Sequence, residues 1–161
     1  MKKSTLCVAA SLIGAALSQS VAAQTASTTF DVTITILNDC TIVSAGNLDF
    51  GSIGSLVANV DAQSDIVVNC TTGLDYDVAL DEGAGGGTTS TRVMTSGGDT
   101  VGYQLYQEAA RSSVWGAGPA DLVSSVGTGD QQTFTVYGRV PPQTTPPAAA
   151  YTDTIGVQIT F

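Results

Sequence analysis

Apolar and polar residues alternate in several short runs along this chain, and glycine- and proline-rich segments separate those runs. A period of two places successive side chains on opposite faces of a strand, and no segment sustains the 3.6-residue apolar period of a helix. The pattern therefore predicts an all-β protein with the architecture of a two-sheet sandwich. The predicted strands are residues 30–37, 48–50, 66–70, 76–80, 92–95, 101–106, 132–139 and 152–161.

The first and the last of these runs have the same amphipathic pattern. In the first, one face holds Phe30, Val32, Ile34 and Ile36. In the last, one face holds Ile155, Val157, Ile159 and Phe161. On periodicity alone, the simplest interpretation is that both are ordinary strands of a closed sandwich. The alternative is that the first run enters a sheet of another molecule.

Residues 1–23 have the pattern of a secretory signal peptide. Lys2 and Lys3 precede an apolar segment at residues 6–17, and Val21 and Ala23 occupy the −3 and −1 positions of a cleavage site. That apolar segment is shorter than the roughly 20 residues that a membrane-spanning helix needs. Cys7 begins the apolar segment, whereas a lipid-accepting cysteine follows it. We therefore expect an exported protein without stable membrane insertion.

Charge narrows the possible partners of the mature chain. Both lysines leave with the signal, so three arginines remain against 14 carboxylates, which gives a net charge of −11. Such a surface repels phosphate groups, and nucleic acid and anionic lipid are therefore not expected as partners.

Two cysteines remain after residue 23, Cys40 and Cys70. In an oxidising compartment an isolated pair is most simply a disulfide, which here would stabilise the fold by roughly 3 kcal/mol. The alternatives are a metal site and a redox pair. A metal site needs more ligands in a chain that contains no histidine, and a redox pair more usually has the spacing Cys-x-x-Cys.

Candidate catalytic chemistry is sparse. Without histidine, and without lysine after the leader, neither a Ser-His-Asp triad nor lysine-based catalysis is available. A glycosidase-like carboxylate pair stays open, but nothing singles out two acids among 14. We therefore expect a protein that is not an enzyme and that carries no cofactor.

Three other groups of residues suggest binding sites, each with a simpler interpretation. The acidic residues Asp75, Asp77, Asp81 and Glu82 lack the order of a calcium loop, and a solvent-facing strand surface is the preferred interpretation. The glycine-rich segment at 83–87 lacks the lysine and helix of a phosphate loop, so a turn is preferred. The aromatic residues that can stack on a sugar are Trp115, Tyr103 and Tyr106, although core packing is preferred for them.

Motifs spread over most of the mature chain resemble the spore coat protein U domain, the family of the archaic (Csu-type) chaperone–usher pilins. The order of the motifs, the cysteine positions and the C-terminal strand carry the resemblance together. The motifs are Asp-Val-Thr-Ile-Thr-Ile at 31–36 before Cys40, Leu-Asp-Phe-Gly at 48–51, Val-Asn-Cys at 68–70, Tyr-Asp-Val-Ala-Leu-Asp-Glu-Gly at 76–83, Arg-Val-Met at 92–94, Val-Gly-Tyr-Gln-Leu-Tyr at 101–106, Ala-Arg at 110–111, Trp-Gly at 115–116, Val-Tyr-Gly-Arg-Val-Pro at 136–141 and Tyr-Thr-Asp-Thr-Ile at 151–155.

The resemblance implies an incomplete immunoglobulin-like sandwich of the pilin type, at residues 38–161, that a donor strand completes. It implies a periplasmic chaperone, an outer-membrane usher, and other copies of this chain or sister pilins as partners. The donor strand would be residues 24–37, with Phe30, Val32, Ile34 and Ile36 entering the groove. The groove would be lined by Ile155, Val157, Ile159 and Phe161. The product would be a fimbrium on the cell surface that serves adhesion and biofilm formation.

Two other functions stay open at this point. One is a surface or spore coat matrix protein of the same fold. The other is a secreted, monomeric carbohydrate-binding module, which would require a complete sandwich and an exposed aromatic platform.

Overall fold

A computed structural model describes residues 23–161. The predicted signal peptide therefore lies, except for Ala23, outside the described residues. The chain divides into an N-terminal unit that ends at Thr35 and a compact unit, Ile36–Phe161. In residues 23–39 no strand forms, so the strand predicted at 30–37 is not paired within the described chain.

The compact unit consists of eight strands joined by turns and loops. They are β1 (Cys40–Ala45), β2 (Val60–Cys70), β3 (Asp75–Leu80), β4 (Arg92–Ser96), β5 (Asp99–Tyr106), β6 (Val123–Val126), β7 (Gln131–Val140) and β8 (Val157–Thr160). The described part of the chain contains no helix, and hence no helix able to cross a membrane.

The strands form two antiparallel sheets. One sheet has five strands in the order β1-β2-β7-β5-β4, and the other has three in the order β6-β3-β8. Every pairing within them is antiparallel. The predicted all-β, two-sheet architecture is confirmed.

The hydrophobic core lies between the two sheets and draws side chains from both. Val68 and Val136 come from the five-stranded sheet, whereas Val78 and Leu80 come from the three-stranded sheet. Trp115, which is 1% exposed, fills the core and donates its indole N–H to the carbonyl of Val78 at 2.9 Å. The apolar positions of β2, β3 and β7 thus face inward with the period of two that the sequence predicts.

A disulfide joins Cys40 to Cys70, as predicted, and fixes the start of β1 to the end of β2. The strand β8 runs antiparallel to β3 and finishes near this end of the sandwich, because Thr160 lies opposite Asp77. We call this the disulfide end and the opposite one the far end.

Other predicted strands also differ from the observed ones, and β2 begins at Val60 instead of Ile66. The prediction at 48–50 is wrong, because Leu48 and Phe50 pack over Gly138 of β7 instead of joining a ladder. A Cβ atom at Gly138 would lie 2.8 Å from Leu48 Cδ2 and 2.9 Å from Phe50 Cζ. The strands β1 and β6 were not predicted, and β8 is shorter than the predicted 152–161.

Candidate functional site

The strands β1 and β8 leave a gap on one side of the sandwich. Within the described residues β1 pairs only with β2, and β8 pairs only with β3. Some Cα atoms of β1 and β8 lie within 8 Å of each other, yet no ladder connects the two strands. Each therefore presents an open edge to the other, which is the geometry that accepts an additional strand.

The hydrogen bonds of β3 show which backbone groups face β8. The N–H of Asp81 donates to the carbonyl of Gly156, just before β8, at 3.1 Å. The N–H of Leu80 points the other way and donates to the carbonyl of Gly116 at 3.1 Å. Successive residues of a strand direct their N–H and C=O groups to opposite sides. The odd-numbered residues of β3, including Ala79, therefore face β8.

The same parity identifies the unpaired groups of β8. Gln158 lies opposite Ala79, and the next hydrogen-bonded position is Thr160, so both face β3. Val157 and Ile159 consequently direct their N–H and C=O groups to the open edge. No strand within the described residues pairs with that edge.

The predicted groove residues lie together along this edge. Ile155, Val157 and Ile159 pack against the core but remain only partly buried. Phe161 is 57% exposed, and Ile42 of β1, on the other side of the gap, is 41% exposed. We call the strip formed by these five residues the acceptor groove. Its members combine apolar side chains with the unpaired backbone of β8.

A cleft of about 630 Å³ lies at the far end of the sandwich. Tyr151, in the segment that leads to β8, forms one side, and Leu48 and Phe50, which follow β1, form another. Val60 and Met94 also line it. The same two stretches of chain that border the acceptor groove therefore also border this cleft.

The predicted donor residues are exposed. Phe30 and Val32 are each 85% exposed, Ile34 is 84% exposed and Ile36 is 72% exposed. We call residues 30–36 the arm. Four large apolar side chains at alternate positions are thus accessible to a partner.

Two carboxylates hold the segment that precedes β8. Asp81 Oδ1 accepts hydrogen bonds from the N–H groups of Gly83 and Gly156, at 2.9 and 2.8 Å. Asp153 Oδ1 accepts from the N–H groups of Ala84, Gly85 and Thr154 at 2.7–2.9 Å. Asp153 Oδ2 accepts from the hydroxyl of Tyr103 at 2.7 Å. The glycine-rich turn is therefore bound to the chain that enters β8. The sequence predicts Asp81 on a solvent-facing surface, but this prediction is wrong, because Asp81 is half-buried and structural.

Arg92 is fully buried beneath the segment that Asp81 and Asp153 hold. Its guanidinium donates to the carbonyls of Leu80, Asp81 and Trp115 at 2.6–3.0 Å. It also donates to the side-chain oxygen of Gln104 at 2.9 Å. Burial lowers the pKa of Arg92 from its usual range, while the nearby charges of Asp81 and Asp153 oppose that shift. Sequence reasoning missed this role, although a lone arginine between a glycine-rich turn and an apolar strand was the available signal.

Burial also decides the role of the aromatic residues. Tyr103 is 7% exposed and Trp115 only 1%, so both belong to the core, and the exposed aromatic platform of a sugar-binding module does not form from them. Burial raises the pKa of Tyr103 well above its usual range, and the hydrogen bond to Asp153 adds to the shift. Tyr106 is half-buried and lies opposite Tyr137 on β7.

The remaining acidic residues do not converge on a site. Asp75 is exposed, and Asp77 accepts a hydrogen bond from the hydroxyl of Ser124. Among residues 23–161, no three or more potential metal ligands come together. On the five-stranded sheet, Asp61 instead binds Arg139 through paired hydrogen bonds of 2.7 and 2.8 Å. The hydrogen bond from Arg139 lowers the pKa of Asp61.

Comparison with known proteins places this geometry in a family. None of the curated proteins matches the chain. Among solved structures, the chain is similar to the CsuC–CsuE chaperone–tip adhesion subunit pre-assembly complex from archaic chaperone–usher Csu pili of Acinetobacter baumannii. The identity is 25% and the TM-score 0.60, over 79% of this chain and 40% of that one. This chain thus spans well under half of the Csu chain that it matches.

A second solved structure, a chaperone–tip adhesin complex of CFA/I fimbriae biogenesis, has 10% identity and a TM-score of 0.47. That match covers 76% of this chain and 41% of the other. The family model of the Spore Coat Protein U domain matches residues 26–158, nearly the whole of the described chain. The protein therefore belongs to the Spore Coat Protein U domain family.

Proposed function

We propose that this chain is a structural pilin subunit that polymerises by donor-strand exchange. The arm of one copy enters the acceptor groove of the next. The observation that carries the proposal is the edge of β8, where Val157 and Ile159 offer both unpaired backbone groups and core-facing side chains. The exposed arm has the matching alternation of apolar residues.

The free energy available from such an insertion is large. Burial of a large apolar side chain contributes about 1.5–3 kcal/mol, so the four of the arm contribute roughly 6–12 kcal/mol as an upper bound. Each new backbone hydrogen bond adds about 1 kcal/mol net. The sum is comparable to the whole stability of a small domain, which is about 5–15 kcal/mol. A linked subunit is therefore expected to be far more stable than a free one.

The length of the connection supports a second copy as the source of the strand. Insertion antiparallel to β8 brings Ile36 beside Ile155, at the far end of the sandwich. From Ile155 to Phe161 the groove is about 20 Å long. Only residues 37–39 join Ile36 to Cys40 at the disulfide end, and they reach at most about 14 Å. Since the rest of the three-stranded sheet is antiparallel, an arm in the same orientation comes from another molecule.

Before assembly, the open groove needs a temporary partner, because exposed apolar sheet edges aggregate. We propose a periplasmic chaperone in that role, an outer-membrane usher as the site of exchange, and a surface fimbrium as the product. Adhesion and biofilm formation are the proposed roles of the fibre. No catalytic function is proposed for the chain.

Gel mobility of the exported protein tests this function. Multimers of the wild-type chain should survive SDS without boiling and dissociate on boiling. The variant Ile34→Asp should form none, because it would bury a charge in the groove. Thr33→Asp is the matched control, since residue 33 alternates with the groove-facing positions and should leave the multimers intact. Equal multimer yields from both variants would overturn the proposal.

A further inference from the structure

The residues that connect the arm to β1 are bound to Thr71, the residue that follows β2. The N–H of Thr71 donates to the carbonyl of Asp39 at 2.9 Å, and the N–H of Asp39 donates to Thr71 Oγ1 at 3.0 Å. The Thr71 hydroxyl has two acceptors within reach, the carbonyl of Leu37 at 3.3 Å and that of Asp39 at 3.2 Å. We call this set of contacts the Thr71 clamp. It extends the pairing of β1 and β2 by one residue beyond the disulfide.

The clamp binds the residues that would have to form the turn in a competing structure, in which the arm enters the groove of its own chain. Although the arm cannot enter its own groove antiparallel to β8, it can reach the groove in the parallel orientation. The arm would then fold back beside the open edge of β1, with residues 37–39 as a three-residue hairpin loop, a common length. Such a fold-back would fill the groove of its own subunit and remove the arm from polymerisation.

Fold-back and clamp exclude each other. A hairpin at residues 37–39 has to turn the chain away from β2, which breaks the bonds of Leu37 and Asp39 to Thr71. The same three residues therefore either continue the β1–β2 ladder or form the turn. The disulfide between Cys40 and Cys70 holds Thr71 beside Asp39, so the clamp is available in the oxidised, exported chain.

We propose that Thr71 is a positioning residue that suppresses self-insertion of the arm and so keeps it available to a second copy of the chain. This inference rests on the proposed function, because it concerns which groove the arm enters. The hydroxyl of Thr71 carries the effect, since it contacts the backbone of both Leu37 and Asp39.

The test compares four full-length chains, exported and oxidised, on SDS gels with and without boiling. They are the wild type, Thr71→Val, Thr71→Ser and Thr72→Val. Thr71→Val keeps the shape of the side chain and removes its hydroxyl, Thr71→Ser restores the hydroxyl, and Thr72→Val changes the exposed neighbour. Thr71→Val should lower the multimer yield by roughly tenfold, the effect of losing one to two net hydrogen bonds. A monomer that resists SDS until boiled should replace the multimers, whereas the other two variants should match the wild type.

The identity of that monomer is tested by adding Ile34→Asp to Thr71→Val. The resistant monomer should then disappear, because the arm can no longer fill a groove. A multimer yield of Thr71→Val equal to that of Thr72→Val would overturn the clamp and leave the proposed function standing. So would a Thr71→Val chain that is merely unfolded in unboiled SDS. A wild-type chain that forms no resistant multimers would overturn both.

Discussion

The arm and the C-terminal run at 155–161 have the same sequence pattern but different structures. Each places four large apolar residues at alternate positions over seven residues. In the C-terminal run, Ile155, Val157 and Ile159 pack against the core, whereas Phe30 and Val32 of the arm are 85% exposed. The difference cannot come from β propensity, because both runs are rich in Val, Ile and Thr.

Position along the chain accounts for the difference. The C-terminal run follows a segment that Asp81 and Asp153 hold against the glycine-rich turn, and it pairs with β3. The arm precedes β1 and forms no strand within the described residues. Alternation therefore specifies that a run has an apolar face, and the topology decides whether the run pairs within its own chain.

The largest expected effect comes from replacing Arg92, which is buried beneath the segment that leads into β8. Arg92→Met leaves the carbonyls of Leu80, Asp81 and Trp115 buried without donors, so it should destabilise the domain by about 4 kcal/mol. The measurement is urea unfolding in the Ile34→Asp background, in which we expect every chain to remain monomeric.

The matched control for that change is Arg139→Met, which removes an exposed ion pair and should leave the urea midpoint close to that of the unchanged background. If the two variants unfold at the same urea concentration, the hydrogen bonds of the buried Arg92 are not what stabilises the C-terminal run.

A somewhat smaller effect is expected from the disulfide at the base of the arm. Cys40 and Cys70 are separated by 30 residues in the chain, and replacing both by serine should cost about 3 kcal/mol, mainly through the greater freedom of the unfolded chain. Urea unfolding of the double variant measures the loss. Wild-type protein under reducing conditions should lose the same amount, and full stability after reduction would contradict the prediction.

Sequence patterns were sufficient to predict a strand where one of its faces is buried and the other is not. The alternation in β3 predicted its position and its inward face, and that in β7 predicted its position. In β2 it predicted only residues 66–70 of the strand, and the two isolated cysteines predicted the disulfide. The two amphipathic runs at the ends of the chain were also visible in advance. What they pair with depends on contacts that are distant in sequence, so the pattern alone left a closed sandwich as the simplest interpretation.

The strands and residue roles that the sequence did not predict correctly have local physical causes. The strand β1 contains the adjacent apolar pair Ile42 and Val43 at a register shift, and that pair breaks the alternation. Leu48 and Phe50 alternate correctly but fill the space over Gly138, which periodicity cannot reveal. The roles of Arg92 and of Thr71 arise from hydrogen bonds to backbone groups that no side-chain pattern records.

Phe161 belongs to the C-terminal run but is exposed like the residues of the arm. It occupies a core-facing position of the alternating pattern, yet it is more than half exposed. Phe161→Ala should change the stability of the monomer by less than about 1 kcal/mol. It should weaken each junction in the multimer by about 1–2 kcal/mol if the arm covers the ring. The temperature at which the multimers dissociate in SDS measures the second effect.

Thr160→Ala, one residue earlier and on the opposite face, is the control for Phe161→Ala and should leave that temperature unchanged. A multimer whose dissociation temperature is the same for Phe161→Ala and the wild type would show that the arm does not reach the end of the groove.

The smallest effect is expected at Asp61 on β2, because its side chain is exposed and lies outside the acceptor groove. The hydrogen bond from Arg139 lowers the pKa of Asp61 below its usual value of 3.8. Its contribution is therefore present at neutral pH and is lost as the pH falls through the pKa of the folded state. Because the pair is exposed and screened, Asp61→Asn should cost less than about 1 kcal/mol at pH 7. That cost should shrink toward zero at acidic pH, as urea unfolding at pH 7 and pH 3 can measure.

The control for Asp61→Asn is Asp65→Asn on the same strand, whose carboxylate accepts a hydrogen bond from Thr135 and contacts no arginine. Neither change should alter the multimer yield, because residues 61 and 65 alternate with the inward-facing Ile66 and Val68 of β2. A loss of multimers in Asp61→Asn would mean that the exposed face of β2 also contacts the neighbouring subunit. Assembly would then not be confined to the arm and the acceptor groove.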